Sequence, residues 1–139
     1  MKMFILLSMI GIANTWIPHG GVVQPLSDYV YVETAGRGEG AYVQLEDIKG
    51  EETYTIEVEV KGKGVVQLEV IERNGAGETV RIRTTDPLKL NDQWKGGGIG
   101  FKTSDKTKKV DVYVVSVKQT KQHFYMTYPQ LKLGKPGKV

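Results

Sequence analysis

The residue types that carry chemistry are sparse in this chain of 139 residues. Cysteine is absent, and the two histidines, His19 and His123, stand far apart with no ligand-spaced partner. A zinc site is therefore not expected. None of Ser8, Ser27, Ser104 and Ser116 sits in the strand–turn–helix context of an activated nucleophile. Glu57 and Glu59 share one strand face, and glycoside hydrolysis uses two carboxyl groups about 5–10 Å apart. Alternation with Thr55 is, however, the ordinary pattern of a wet strand surface. Loop carboxylates at Glu46, Asp47, Glu51, Glu52 and Asp92 have the hard oxygen chemistry that calcium takes, but solvation is their common role. The glycine stretches Gly36–Gly40, Gly62–Gly64 and Gly96–Gly100 do not follow a strand and open a helix, so none reads as a phosphate cradle. The expectation is a protein that is not an enzyme, with no cofactor and no metal.

Aromatic side chains remain. Trp94, Trp16, Tyr113 and Tyr125 are the candidate ligand contacts, and the ligand chemistry they suit is a glycan. A flat ring offers its π-face to the polarised C–H groups of a pyranose, while neighbouring polar groups take the hydroxyls. The same residues also serve as ordinary core and rim side chains. Trp94 is the strongest single candidate, being flanked by Asn91, Asp92, Gln93 and a glycine run.

Short strands must position these rings. Tyr54 to Val60 alternates strictly, with Tyr54, Ile56, Val58 and Val60 on one face and Thr55, Glu57 and Glu59 on the other. Period 2 of this kind marks a sheet with one buried face. Val65 to Glu72 places Val66, Leu68 and Val70 inward. Glu78 to Thr84 is read with Val80 and Ile82 inward and Arg81 and Arg83 outward, which predicts cross-strand Glu–Arg neighbours on the wet face. Tyr29–Glu33, Ala41–Leu45, Ile99–Thr103, Lys109–Lys118 and His123–Tyr128 are further strands, and Gln130–Leu133 extends the last. Turn chemistry separates them at Ala35–Gly40, Lys61–Gly64 and Asn74–Gly77. Gly11–Leu26 is read as irregular and Asp86–Gly100 as a long connection. Many short strands and no helical period predict an all-β antiparallel sandwich in a single domain.

Charge is divided unevenly. Residues 1–93 carry nine Lys/Arg and fourteen Asp/Glu, whereas residues 94–139 carry ten Lys and two Asp. All the basic charge of the second part is lysine, a poor reader of base edges, so nucleic acid is not an expected partner. Solvated strand faces account for the charge; docking on an acidic partner surface is the sharper alternative. Residues 1–13 form an apolar segment too short to cross a membrane as a helix. It is expected to be a retained N-terminal arm. The alternative is a secretory signal peptide cut near Ala13. The sandwich domain then occupies 14–139.

The stretch from Tyr42 through Gln44 and Tyr54 to Gly64 resembles the jelly-roll domains of carbohydrate-binding modules, in which a Gly-Glu-x-Tyr-Thr phrase leads into an alternating strand ending Val-Lys-Gly. The opening Trp16-Ile17-Pro18-His19-Gly20 is similar to the tryptophan segment that begins such modules. The run from Phe124 to Gly134, with Pro129 and Leu131, resembles the closing strand of the copies found in tail and other virion proteins of tailed bacteriophages. The resemblance covers roughly residues 14–134. It implies a jelly roll and a non-enzymatic virion structural protein: a capsid decoration, head fibre or tail component. Its implied partners are other virion proteins, capsid or tail, in multiple copies, and a host cell-surface glycan. The alternative it leaves open is a secreted carbohydrate-binding module or lectin-like protein.

Overall fold

Alternating side chains decide which surface of each strand is buried, and register decides which strands meet. The computed structural model describes residues 16–134, all strands and connections. In chain order the strands are β1 (Ile17–His19), β2 (Val22–Pro25), β3 (Tyr29–Thr34), β4 (Gly40–Leu45), β5 (Thr53–Lys63), β6 (Val65–Arg73), β7 (Thr79–Thr84), β8 (Leu88–Lys89), β9 (Lys95–Lys102), β10 (Lys109–Ser116), β11 (Gln122–Thr127) and β12 (Gln130–Leu133). The apolar segment 1–13, and with it the choice between arm and leader, lies outside the described residues.

Two antiparallel sheets pack face to face as a jelly-roll sandwich. Sheet A runs β1-β4-β10-β6-β7, with β8 also paired to β6. Sheet B runs β12-β5-β11-β3-β2, with β9 also paired to β5. The long β5 holds sheet B together. Ile56 pairs with Ile99 of β9 on one side and with Leu131 of β12 on the other, and Val60 to Lys63 pair with β11. Between the sheets lie Val30, Val32, Val43, Leu45, Ile56, Val58, Val60, Leu68, Val70, Val112, Phe124 and Met126, all essentially without solvent contact. Each such side chain contributes about 1.5–3 kcal/mol relative to exposure. Gly40 is required where β4 approaches β10, because a Cβ there would run into the Val114 carbonyl oxygen.

Four local expectations are corrected. Lys61–Gly64 is not a four-residue turn: β5 continues through Lys63, and the chain reverses at Gly64, whose φ of 134° suits glycine. Gly11–Leu26 is not irregular throughout, since β1 and β2 are short edge strands. The glycine run is not part of a connection: Gly96, Gly97 and Gly98 lie in β9 and pair with Glu59, Val58 and Glu57. Gly97 faces Leu68 of the other sheet at van der Waals range, so its missing side chain lets β9 lie close to the core.

The fourth correction concerns the end of β7, where the expected alternation fails at Ile82 and Arg83, although Val80 is half-buried and Arg81 exposed as expected. Ile82 is 56% exposed, and Arg83 turns inward. Glu72 is the reason. It follows Val66, Leu68 and Val70 onto the buried face and loses all solvent contact. Its Oε1 accepts from the Ser104 amide at 3.0 Å and the Thr107 hydroxyl at 2.7 Å. Its Oε2 lies 3.5 Å from an Arg83 nitrogen. A buried carboxylate needs such partners, and the cation among them is available only if Arg83 faces in. The expected Glu–Arg neighbours therefore exist, but inside the sandwich edge. Arg81 and Arg83 also donate to the Lys102 carbonyl, tying β7 to β9 across the two sheets.

Candidate functional site

Sheet A gives its inner face to the core and leaves its outer face to solvent. Because Ala41, Val43 and Leu45 of β4 and Val110, Val112 and Val114 of β10 point inward, Tyr42, Gln44, Asp111 and Tyr113 emerge outside. Register lines up Ile17, Tyr42, Tyr113, Glu69 and Thr84 as one row across five strands. The adjacent row is Gln44, Asp111, Ile71 and Ile82.

The centre of this face is an aromatic pair beside a charged pair. Tyr42 and Tyr113 have ring centroids 5.1 Å apart and planes within 22° of parallel. His19 meets both edge-on, at 6.2 and 5.1 Å. Both tyrosines are partly exposed on this face. Arg73 Nε donates to Asp111 Oδ2 at 2.6 Å, and its Nη1 donates to Thr79 Oγ1 at 3.0 Å. Asp111 is 3% exposed, yet its Oδ1 has no hydrogen-bond partner among the described residues. The hydrogen bond to Asp111 raises the Arg73 pKa above its ordinary value, against the opposing effect of burial. Burial, reinforced by the Asp111 charge, raises the Tyr113 pKa. At neutral pH the site therefore offers a protonated phenol and a guanidinium held by a buried carboxylate.

Sheet B has its own outer face, also aromatic. Tyr29 and Tyr31 of β3 and His123 and Tyr125 of β11 alternate with the core residues Val30, Val32, Phe124 and Met126. Trp94, on the connection before β9, joins them through Tyr29 at 5.6 Å.

The candidate residues thus divide three ways. Trp94 and Tyr125 share the outer face of sheet B, both against Tyr29. Tyr113 stands on the opposite outer face, in sheet A. Trp16 is 3% exposed and packs in the core, its Nε1 donating to the Thr127 carbonyl at 3.0 Å. That burial corrects the expectation for Trp16, since no ligand reaches its ring. Sequence reasoning missed Tyr42, His19, Arg73 and Asp111. Strand parity could have placed Tyr42 and Tyr113 outside, but only the pairing of β1 with β4, of β4 with β10 and of β10 with β6 brings these residues together. Among the described residues no three His, Cys, Asp or Glu side chains gather as metal ligands. The loop carboxylates Asp47 and Glu51 instead hold positive-φ turn positions.

No protein-family model and no curated protein matches the sequence. Solved structures do match. The family 22 carbohydrate-binding and family 10 glycoside-hydrolase modules of a Clostridium thermocellum endo-1,4-β-D-xylanase, solved with xylohexaose, align at TM-score 0.71 and 13% identity, over 94% of this chain and 28% of that one. The C-terminal family 22 carbohydrate-binding module from Clostridium thermocellum aligns at TM-score 0.68 and 17% identity, over 95% of this chain and 93% of that one. The enzymatically active domain of tailspike protein 4 of bacteriophage CBA120 aligns at TM-score 0.69 and 8% identity, over 91% of this chain and 20% of that one. The chain spans less than a third of the two larger structures and nearly all of the isolated module. At such identities the likeness is one of fold: the chain has the jelly-roll architecture of carbohydrate-binding modules.

Proposed function

We propose that this chain is a non-catalytic glycan-binding module whose primary site is the outer face of sheet A. The observation that carries the reading is the stacked Tyr42–Tyr113 pair on an outer sheet face, set beside the Arg73 guanidinium that Asp111 holds in place. A pyranose resting against the exposed part of the tyrosine pair presents its hydroxyls toward Arg73 and Gln44. The rings supply contact area, and the polar groups fix orientation. A face crossing five strands suits an extended chain of sugars. The xylohexaose in one structural neighbour supports a neutral β-linked polysaccharide such as xylan as the ligand class.

Two features support the absence of catalysis. Glu57 is held by Lys132 at 2.9 Å on the opposite sheet, away from the tyrosine pair. Glu59 lies on that same strand face and is exposed. Titration calorimetry with xylohexaose and soluble xylan tests the reading. Binding by the native chain that is lost in a folded Tyr113→Ala variant supports it, and unchanged affinity in that variant overturns it.

For setting, we place the module on the particle of a tailed phage, as a decoration or tail component bound to other virion proteins. The likeness to a phage tailspike and the closing Phe124 to Gly134 segment support this placement. Co-sedimentation of the native protein with purified particles is the expected result. A free form in the culture medium, starting near Asn14, would instead establish the secreted alternative.

A further inference from the structure

One end of the sandwich holds a basic hollow that the sheet A reading does not use. Three separate segments meet there: the reversal from β5 to β6, the stretch from β8 to Asp92, and the connection from β10 to β11. Together they line a cavity of about 650 Å³, the size of a small-molecule site. Lys63, Lys89, Lys118 and Lys121 stand on its wall, against one carboxylate, Asp92. Among the described residues their ammonium groups make no ion pair.

The hollow is fixed by the fold rather than by its lysines. The Gly62 amide donates to the Asn91 carbonyl at 2.8 Å and the Leu90 amide to the Gly64 carbonyl at 2.9 Å, which ties the β8 stretch to the reversal. Buried Gln122 accepts from the Val65 amide at 2.9 Å and donates to the Val65 carbonyl at 3.3 Å. A Cβ on Gly64 would collide with that side-chain amide, so glycine lets the two segments close. The Val117 amide donates to the same Val65 carbonyl at 3.0 Å and anchors the third segment. Like charges gathered in a fixed concavity draw a counter-ion. All four cations are lysine. A guanidinium fork matches a planar carboxylate, whereas separate ammonium point charges suit the tetrahedral oxygens of phosphate. Two neutral donors join them: the Thr120 hydroxyl, and the Asn91 amide nitrogen, whose Oδ1 is already engaged by the Gln93 amide at 2.8 Å. A single phosphate group carries about two negative charges at neutral pH. Four lysines offset by Asp92 alone call for more than that.

We infer that this cavity binds two or three linked phosphate groups, either as the free inorganic anion or as the phosphate chain of a nucleotide. The site shares no residue with the Tyr42–Tyr113 pair. Its ligand and its variants differ from those that test xylan binding, so the two assignments fail separately.

The test is titration calorimetry on the whole chain at about 0.15 M salt, where diffuse surface attraction is screened. The probes are pyrophosphate, triphosphate, ATP and citrate, without divalent cations. Pyrophosphate or triphosphate is expected to bind at one site, and citrate about tenfold more weakly or not at all. Lys63→Ser with Lys121→Ser should weaken binding of the inorganic anion about tenfold. Lys106→Ser with Lys108→Ser removes the same charge at the opposite end of β10 and should leave binding unchanged. All four side chains are exposed, and thermal unfolding checks that the variants stay folded. Lys118→Ser, also exposed, replaces the first pair if that pair unfolds. ATP binding as tightly as triphosphate assigns the phosphate chain of a nucleotide, and triphosphate binding without ATP assigns the free anion. No binding of pyrophosphate or triphosphate overturns the inference. So does an equal loss in the two lysine pairs, or equal affinity for citrate, because net charge alone would then account for the binding.

Discussion

Tyr42 and Tyr113 are Cα partners on neighbouring strands, and their rings lie nearly parallel at 5.1 Å. A directly opposed pair of this kind stabilises a sheet by roughly 0.2–1 kcal/mol. It also builds a surface that neither strand has alone. The two substitutions should therefore differ from ordinary surface changes. Tyr42→Ala and Tyr113→Ala are each expected to lower affinity for xylohexaose about tenfold, with a small fall in melting temperature. Calorimetry on the two single variants and the double variant will show whether the rings act as a unit.

Arg73 and Asp111 form a pair whose carboxylate is almost wholly buried. Removing the guanidinium leaves that charge without its partner, which costs about 1–3 kcal/mol or more. Arg73→Ala is expected to be clearly less stable in urea than the native chain. Arg73→Ala with Asp111→Ala should recover part of the loss, because the stranded carboxylate goes too. A fully additive double variant would count against coupling between them.

The inward Arg83 of β7 makes a paired prediction. Ile82→Thr changes an exposed side chain and should shift stability by no more than about 0.5 kcal/mol. Arg83→Ala removes the cation beside buried Glu72 and should cost about 1–3 kcal/mol. If Ile82 were the inward residue, the order of the two effects would be reversed.

Alkaline pH should weaken the fold in a defined window. Burial raises the pKa of both Tyr31 and Tyr113, with Glu33 adding to the first and Asp111 to the second. Their protonated forms are favoured in the folded chain, so the stabilisation is complete below the ordinary tyrosine value of about 10. Above it the unfolded chain ionises first, and stability falls as pH rises through the raised values. Tyr113→Phe is expected to flatten part of that decline in urea titrations at stepped pH.

Gly40 should tolerate no side chain. Gly40→Ala places a methyl group against the Val114 carbonyl and forces β4 away from β10, at a cost of about 1–3 kcal/mol or more. Since β4 carries Tyr42, xylohexaose binding should fall with it.

What could be read from the chain follows the physics of each segment. β5 and β6 are plain because their valines and isoleucines alternate with Glu, Thr and Gln over a long run. The same rule went astray on β7. Val80 and Ile82 are apolar enough to suggest a core face, and only the buried Glu72, on another strand, makes Arg83 the inward residue. The glycines of β9 hid a strand because period 2 is written in side chains, and Gly96 to Gly98 have none. Trp16 was legible as a ligand contact but not as the buried residue whose indole bonds the Thr127 carbonyl. The tyrosine site was least legible of all, since Tyr42, Arg73, Asp111 and Tyr113 come from three strands widely separated along the chain.

Pairing between distant strands also governs how the molecule comes into being. Val43 of β4 waits for Val112 of β10, and Val32 of β3 waits for Phe124 of β11. Among the described residues Leu131 of β12 is the last core residue in chain order, and it closes on Ile56 in the middle of β5. Little of either sheet can be completed before β10, β11 and β12 have been made. Assembly is therefore a late, single event with a large loop-closure cost, which places this sandwich among slow-folding topologies. Until that event the valine-rich β5, β6 and β10 lie open to one another and to other nascent chains.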